Sequence, residues 1–196
     1  MKVLAFSDIH CDADACVTLV DAAKDADLVI GAGDFSQHHL GLEQTMELLE
    51  PLASKAIYVP GNNETVAALR DATSATVLHG DAKVVDGVEV FGIGAAIPPL
   101  PPLPWESYDL SEIEAEELVS RCDTADIFIS HSPPKGIADT HVEAGSMGSQ
   151  SVLKAVIRMK PRFVFCGHIH DCWGQSGKIG DSLVYNLGPT VNWYEI

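Results

Sequence analysis

The sequence predicts an α/β protein, and three features of the chain support this prediction. Short apolar runs alternate with amphipathic segments over the first 60 residues, which is the pattern of successive β-α-β units. Gly, Asp and Asn follow directly after several of these runs, as expected where a buried strand leads into a loop. The hydrophobic fraction is 46% and the charged fraction 20%, proportions typical of a folded domain rather than a disordered chain.

The first third of the chain contains the clearest alternation. Residues 2–7 form a short apolar run that ends in Ser-Asp, which predicts a buried strand. Apolar residues recur at helical spacing over residues 13–25, and a second helix is expected over 44–52. Residues 27–31 and 56–59 are further short apolar runs that predict strands. Three buried strands joined by helices indicate a parallel sheet that is covered on both faces.

The middle of the chain has a different pattern. An Asp-Gly pair lies between apolar runs in residues 84–90 and predicts a β-hairpin. The proline-rich segment 98–105 is incompatible with a helix or a central strand, so we expect an extended loop. Residues 111–114 have the capping-box pattern that begins a helix, here running to about residue 121. Its acidic residues, Glu112 among them, are most simply read as a solvated helix face.

The last third returns to strands and loops. Strands are expected at 125–130 and 162–166, and a Gly/Ser-rich loop at 144–150 leads into a helix that ends near residue 159. Two short strands, 184–186 and 191–193, complete the prediction. No repeat, long linker or compositional break divides the chain, so we expect a single domain over residues 1–196.

The charge of the chain restricts its partners. It contains 28 Asp and Glu but 12 Lys and Arg, giving a formal net charge of −16. Extended nucleic acids and anionic membranes are bound through Lys and Arg, so neither is an expected partner, and a nuclease is disfavoured. A small phosphate-ester substrate remains compatible with this charge, and the sequence leaves a homo-oligomer open.

Several features predict a cytoplasmic protein. No apolar run approaches the 18 residues or so that a membrane-spanning helix needs. The apolar start of the chain is too short for the core and cleavage site of a signal peptide. The five cysteines are odd in number and lack CxxC spacing, which fits reduced thiols better than disulfides.

Residues that commonly bind metals follow five predicted strands. The carboxyl ends of the strands in an open α/β sheet share one edge, where ligands bind. Any one of these residues alone would be read as a helix cap or a turn residue, but five converging loops favour a site. The candidate ligands are Asp8 and His10, Asp34, Asn62, His131, and His168 with His170.

The chemistry of this set predicts two divalent metal ions. Imidazole and carboxylate ligands suit first-row divalent ions, and Cys-rich structural zinc spacing is absent. Seven ligands exceed what one tetrahedral ion takes, but they fit two ions that share a carboxylate. Such a pair generates a hydroxide and holds a phosphoryl group for in-line attack. Manganese is the first choice of metal, with iron, zinc, nickel or cobalt as alternatives.

Five motifs occur in order along the chain: DIH (8–10), GD (33–34), GNNE (61–64), SHSPP (130–134) and GHIH (167–170). Together they resemble the motifs of the calcineurin-like metallophosphoesterases, in particular a small microbial phosphodiesterase-like branch. The resemblance implies a four-layer αββα sandwich of two mixed β-sheets flanked by helices. It also implies that Asp8, His10, Asp34 and His170 hold one ion. Asp34, Asn62, His131 and His168 would hold the other, with Asp34 bridging.

One position departs from the family pattern. The usual motif is GNH followed by Asp or Glu, whereas here Asn63 stands where that His is expected. The family His helps to protonate the leaving oxygen or stabilise the transition state, and an amide is no acid near neutral pH. His38, His39 and His141 are the candidates to take over this role.

Two functions from different classes follow. The first is a dinuclear-metal phosphoesterase that hydrolyses phosphodiester bonds of small substrates through a metal-bridging hydroxide. The alternative is a metal-binding scaffold or interaction protein with the same fold and little catalysis, which Asn63 suggests. The complete ligand set favours the enzyme.

Overall fold

The computed structural model describes residues 1–196 and divides them among thirteen strands and five α-helices. The strands are β1 (Lys2–Phe6), β2 (Leu28–Gly31), β3 (Ala56–Tyr58), β4 (Thr76–Val77), β5 (Asp81–Val85), β6 (Val88–Ile93), β7 (Ile127–Ser130), β8 (Thr140–His141), β9 (Gly145–Ser146), β10 (Phe163–Cys166), β11 (Ser176–Ile179), β12 (Ser182–Asn186) and β13 (Asn192–Glu195). The helices are α1 (Ala13–Ala22), α2 (Leu42–Leu49), α3 (Val66–Ala72), α4 (Glu112–Val119) and α5 (Gln150–Met159).

Two large mixed sheets form the centre of the molecule. The five-stranded sheet has the order β13-β1-β2-β3-β4, in which only β13 runs antiparallel to its neighbour. The six-stranded sheet has the order β11-β12-β10-β7-β6-β5, with antiparallel strands at both edges and parallel strands between them. Parallel neighbours place the carboxyl ends of β1, β2 and β3 on one edge, and those of β6, β7 and β10 likewise.

Side-chain alternation along the strands generates three apolar cores. In β1, Val3 and Ala5 face the second sheet and pack in a cluster with Ile127 and Phe165, whereas Leu4 faces the helices α1 and α2. A third cluster fills the space between the six-stranded sheet and the helices α4 and α5. The layers are therefore helix, sheet, sheet, helix, which confirms the predicted αββα sandwich.

Most predicted elements are present, with shifted ends. The predicted helix 13–25 consists of α1 and a 3₁₀ turn over residues 23–25, and that predicted over 44–52 begins two residues earlier and continues as a 3₁₀ segment to residue 55. The hairpin joins β5 to β6 through Asp86 and Gly87, as predicted. The proline-rich segment 98–105 has no regular structure, also as predicted.

Other elements were not predicted. The helix α3 and the short strands β4 and β11 were missed, and the loop expected at 144–150 contains strand β9, which pairs with β8 as a small ribbon. The reading of Glu112 as part of a solvated face was wrong, because its carboxylate accepts hydrogen bonds from the backbone N–H groups of Gln150 and Ser151. Glu112 therefore caps α5 together with Ser149, whose hydroxyl accepts from the N–H of Val152.

None of the helices is both long enough and apolar enough to cross a bilayer.

Candidate metal centre

Four loops at one edge of the sandwich bring six potential metal ligands into two groups. Within each group, all donor atoms lie within 4.8 Å of one another. We call the more buried one the inner group and the other the outer group. The inner group consists of Asp34, His131 and His168, and the outer group consists of Asp8, His10 and His170.

The inner group is the more buried of the two, with Asp34 and His131 buried and His168 half-buried. His131 is fully buried, and its Nδ1 lies 2.7 Å from the carbonyl oxygen of Ala32. Because that carbonyl can only accept, Nδ1 carries the proton and Nε2 presents a lone pair in the neutral ring. This Nε2 lies 3.5 Å from Oδ2 of Asp34 and 3.2 Å from the side-chain oxygen of Asn62.

The outer group is open to solvent on one side. His10 directs Nδ1 at the carbonyl oxygen of Ser36, 3.2 Å away, so its Nε2 also presents a lone pair. That atom lies 3.2 Å from Nε2 of His170, which is itself 3.7 Å from Oδ1 of Asp8. The side chain of His170 is 50% exposed, whereas that of Asp8 is buried.

Asp34 connects the two groups. Its Oδ2 lies 3.6 Å from Nε2 of His10 and 3.5 Å from Nε2 of His131. Its other oxygen accepts the backbone N–H groups of Asn62 and Asn63, at 2.8 and 2.9 Å. One oxygen is therefore fixed by the backbone and the other faces both groups, which is the arrangement that a bridging ligand requires.

The donor set fits two divalent cations. Two imidazole nitrogens face each other in the outer group, and in the inner group an imidazole nitrogen faces two oxygens, so neutral imidazoles leave the carboxylate of each group without a compensating cation. A first-row divalent ion would supply that charge and suits nitrogen and carboxylate ligands.

The pKa values of the inner group report the same deficit of positive charge. Burial lowers the pKa of His131, but the negative charge of Asp34 outweighs this effect and raises the pKa to about 9. For Asp34, burial acts to raise the pKa, but the neighbouring imidazoles, His131 foremost, hold it far below its usual range. In the absence of metal, a proton on His131 thus compensates the carboxylate.

The loops that carry these ligands have unusual backbone conformations. Of the eleven residues other than glycine with positive φ, seven lie in the loops after β1, β2 and β10. Asp8, Asp34 and His168 are among them, with φ of 56°, 58° and 69°. Strained backbone of this kind persists where the surrounding structure enforces it, commonly at functional sites. Gly61 serves the same geometry, because a Cβ there would overlap Oδ1 of Asp34.

Glu64 organises the inner loops and was not assigned a role from the sequence. Its fully buried carboxylate accepts the backbone N–H groups of Asp34, Phe35, Ser36 and Gly61 at 2.7–3.1 Å. It thereby joins the loop after β2 to the loop after β3. In the sequence, Glu64 is marked only as the last residue of the GNNE motif. That position does not indicate a contact with a loop 30 residues earlier in the chain.

Trp173 supports the outer group, as Glu64 supports the loops of the inner group. Its indole N–H donates to Oδ2 of Asp8 at 3.1 Å, and its ring packs on His170 with the centroids 4.3 Å apart. Gly188 allows this approach, since a Cβ there would lie 2.8 Å from the indole ring. No pattern in the sequence indicated this contact, which joins residues 165 positions apart.

The candidates for proton transfer lie in different places. Asn63 is buried, and its side-chain amide donates to Oδ2 of Asp34 at 2.8 Å. Its oxygen accepts the backbone N–H of His38, also at 2.8 Å. His38 and His141 line the pocket over the two groups, and the ring of His38 stacks on Trp105. His39 does not line this pocket, and its ring contacts the carbonyl oxygen of Glu106 instead.

Solved structures similar to this chain share its fold at low sequence identity. A search of curated protein sequences finds no significant match. The structure of TT1561 from Thermus thermophilus superposes with a TM-score of 0.73 at 18% identity, covering 98% of this chain and 97% of that one. An archaeal phosphodiesterase gives 0.52 at 18% identity, with 96% and 84% covered. A dimetal phosphatase from Danio rerio gives 0.60 at 12% identity, with 96% and 88% covered.

The family follows from a match of the sequence itself. The model of the calcineurin-like phosphoesterases matches residues 1–172, which include all five motifs and both donor groups. This match extends over well more than half of the chain, and the sandwich and its ligand-bearing edge agree with it. The chain therefore belongs to the calcineurin-like phosphoesterase family.

Proposed function

We propose that this protein is a dimetal phosphodiesterase acting on small substrates. The observation that carries the proposal is the position of Asp34, whose Oδ2 faces both donor groups at 3.5–3.6 Å. In this proposal the outer group and Asp34 hold one ion, and the inner group with Asn62 holds the other. Manganese is the first candidate, with iron, zinc, nickel and cobalt as alternatives.

Two bound ions would supply a nucleophilic water and polarise the phosphoryl oxygens. The residues of the chain fix the geometry that this chemistry needs. Glu64 and Asn63 hold Asp34 from two sides, and Trp173 with the backbone N–H of His168 holds Asp8. Ligands held by such neighbours bind metal more tightly than free ones do.

A preference for diesters over monoesters is supported by the charges around the pocket. None of the twelve Lys and Arg side chains lines it. A diester carries one negative charge, whereas a monoester near neutral pH carries close to two. A pocket whose positive charge comes from the metal site alone therefore favours the singly charged diester. The fold similarity to an archaeal phosphodiesterase agrees with this preference.

His38 is the proposed proton donor to the leaving oxygen, in the role that Asn63 cannot fill. It lines the pocket, and Asn63 fixes its backbone through a 2.8 Å hydrogen bond. A His38→Gln variant should lose about 100-fold in kcat on diesters with poor leaving groups, and much less on p-nitrophenyl esters, which need no acid. An equal loss on both substrates would contradict this role.

The experiment that tests the function is a panel of metals against activated monoesters, activated diesters and cyclic nucleotides. We expect Mn²⁺-loaded protein to hydrolyse diesters faster than monoesters. If the protein hydrolyses no activated ester with any of the metals, the proposal that it is an enzyme is wrong, and a metal-binding scaffold is favoured instead. Metal analysis of the protein as purified identifies the native ions.

An Asn63→His variant completes this test. A large gain on poor leaving groups would show that the natural protein is active but lacks full acid assistance. No gain, together with good turnover by the natural protein, would show that another residue already supplies the proton, as proposed for His38.

A cytoplasmic location is part of the proposal. All five cysteines are unpaired, which agrees with a reducing compartment. Fractionation of cells that express the chain checks it directly.

A further inference from the structure

Six residues with apolar side chains line the pocket over the metal centre, and we call them the apolar wall. Four of them come from the proline-rich loop and two from the segment that carries the β8–β9 ribbon. The wall consists of Leu100, Pro101, Leu103, Trp105, Ala144 and Met147. The same pocket is lined by His10, Asp34, Asn62, His168 and His170, so metal ligands and apolar side chains border one cavity.

The loop half of the wall is fixed in place. The backbone N–H of Leu100 donates to Asp109 at 3.0 Å, and the hydroxyl of Ser107 donates to the same carboxylate at 2.6 Å. Ser107 also accepts from the side-chain amide of Asn62 at 3.1 Å. These bonds attach the loop to a proposed metal ligand, so the wall has a defined position relative to the scissile phosphate.

The ribbon half is held in the same manner. The carboxylate of Asp139 is buried and accepts the N–H groups of Gly136 and Gly148 at 2.9 and 3.0 Å. The backbone carbonyl oxygen of Asp139 accepts the N–H of Met147 at 2.9 Å. Both halves of the wall are thus tied to buried or partly buried carboxylates.

The wall leaves apolar surface in contact with solvent. Leu103 is 41% exposed although it lines a cavity. The cavity measures about 390 Å³, which is enough for a phosphate and one compact organic group. Its lack of Lys and Arg makes it unsuited to a second phosphate, which would need its own cation.

We infer that the substrate is a phosphodiester with a compact apolar ester group that packs on this wall. The inference rests on the proposed function and narrows its substrate class, excluding diesters that carry a second phosphate. Burial of apolar surface provides the binding energy, and the rigid wall selects for size. An aryl group and a short alkyl group share this chemistry, and the experiment below separates them.

The test measures the binding of phosphonates to Mn²⁺-loaded protein by calorimetry. The probes are the monomethyl esters of methylphosphonate, butylphosphonate and phenylphosphonate, which carry one negative charge as a diester does and differ in the apolar part, with inorganic phosphate as the reference. We expect butyl- or phenylphosphonate to bind about tenfold tighter than methylphosphonate. Tighter binding of phenylphosphonate assigns an aryl group, and tighter binding of butylphosphonate an alkyl group. Equal binding of all three phosphonates would overturn the inference.

A paired variant assigns the effect to the wall. In a Leu103→Ala/Met147→Ala protein, the preference over methylphosphonate should fall from about tenfold to about twofold. The matched control is Val142→Ala, since Val142 is 80% exposed, lies on the segment between Thr140 and Ser146, and does not line the pocket. It should keep the full preference. A preference that survives in the paired variant would contradict a role for the wall.

The two proposals fail in different ways. If the metal-loaded protein neither binds inorganic phosphate nor hydrolyses an activated ester, the proposed function is wrong. If it does both but shows no preference among the phosphonates, only the apolar wall is refuted. Quenching of tryptophan fluorescence by phenylphosphonate, absent in a Trp105→Phe variant, reports occupancy of the wall independently of turnover.

Discussion

The inner and outer donor groups contain the same kinds of ligand but lie in different environments. Each has one carboxylate and two imidazoles. In the inner group His131 and Asp34 are buried, whereas in the outer group the side chain of His170 is half exposed. The comparison teaches that burial, rather than ligand type, distinguishes the two sites. We expect the outer ion to exchange with solvent and chelators before the inner one.

The largest expected effect is that of Asp34→Asn, because this carboxylate faces both groups. Loss of its charge should weaken binding of both ions and lower kcat/KM by about a thousandfold or more, since the metal contribution is several kcal/mol. Metal analysis and diester hydrolysis check the result. Asp21→Asn, an exposed control, should leave both unchanged. An Asp34→Asn protein with two ions and normal turnover would refute the shared ligand.

Alanine at His131 and at His170 should have unequal effects on the metal-free protein. Removing His131 removes the cation that compensates the buried Asp34 carboxylate and should cost about 3 kcal/mol of the free energy of unfolding. Removing His170 should cost less than about 1 kcal/mol, because its side chain is half exposed. Urea unfolding in the presence of a chelator measures both. Equal losses would contradict the difference in burial that separates the groups.

The free energy of unfolding of the metal-free protein should depend on pH through the buried inner group. The pKa of His131 is raised to about 9 from 6.5. Its contribution to stability is therefore complete below pH 6.5 and is lost as the pH rises through 9, a change of about 3 kcal/mol.

Metal binding at pH 7 must displace this proton, so the affinity of the inner site should rise about tenfold per pH unit. Calorimetry in buffers of different ionisation enthalpy counts the proton released, and zero release would contradict the prediction.

The smallest expected effects come from the residues that hold each group in place. Glu64→Gln removes an acceptor from the inner loops and should weaken metal binding there about 10- to 100-fold. Trp173→Phe removes only the N–H that reaches Asp8, so the outer site alone should weaken, by about tenfold or less. Titration with Mn²⁺ separates the two sites. A Trp173→Phe protein with a weakened inner site would show that the groups are not independently supported.

Local patterns in the sequence predicted the parallel strands and the meeting of the ligands, whereas the four-layer sandwich was implied by the resemblance to the family. Apolar alternation identified β1, β2 and β3, and chain direction in parallel strands placed Asp8 and Asp34 on one edge. The capping box over residues 111–114 was also a local signal, and the structure has it at the start of α4. Short elements with mixed composition, such as β4 and the β8–β9 ribbon, have no such signal.

The supporting contacts were not predictable in this way. Glu64 and Trp173 act on loops far away in sequence, through backbone N–H groups or a single carboxylate. Glu112 was misread because its acidic neighbours suggested solvation, while its partners lie at the start of a helix 38 residues later. His38 and His39 are adjacent and chemically identical, yet only the structure separates the pocket residue from the one beside it.

The central claim is that Asp34 bridges two adjacent ions, and electron paramagnetic resonance of the Mn²⁺-loaded protein tests it most directly. Two Mn²⁺ ions about 3.5–4 Å apart that share a ligand are exchange-coupled. We predict two equivalents of bound Mn²⁺ and a coupled spectrum, which the Asp34→Asn variant loses. One equivalent, or two equivalents with the spectrum of isolated ions, would contradict the claim.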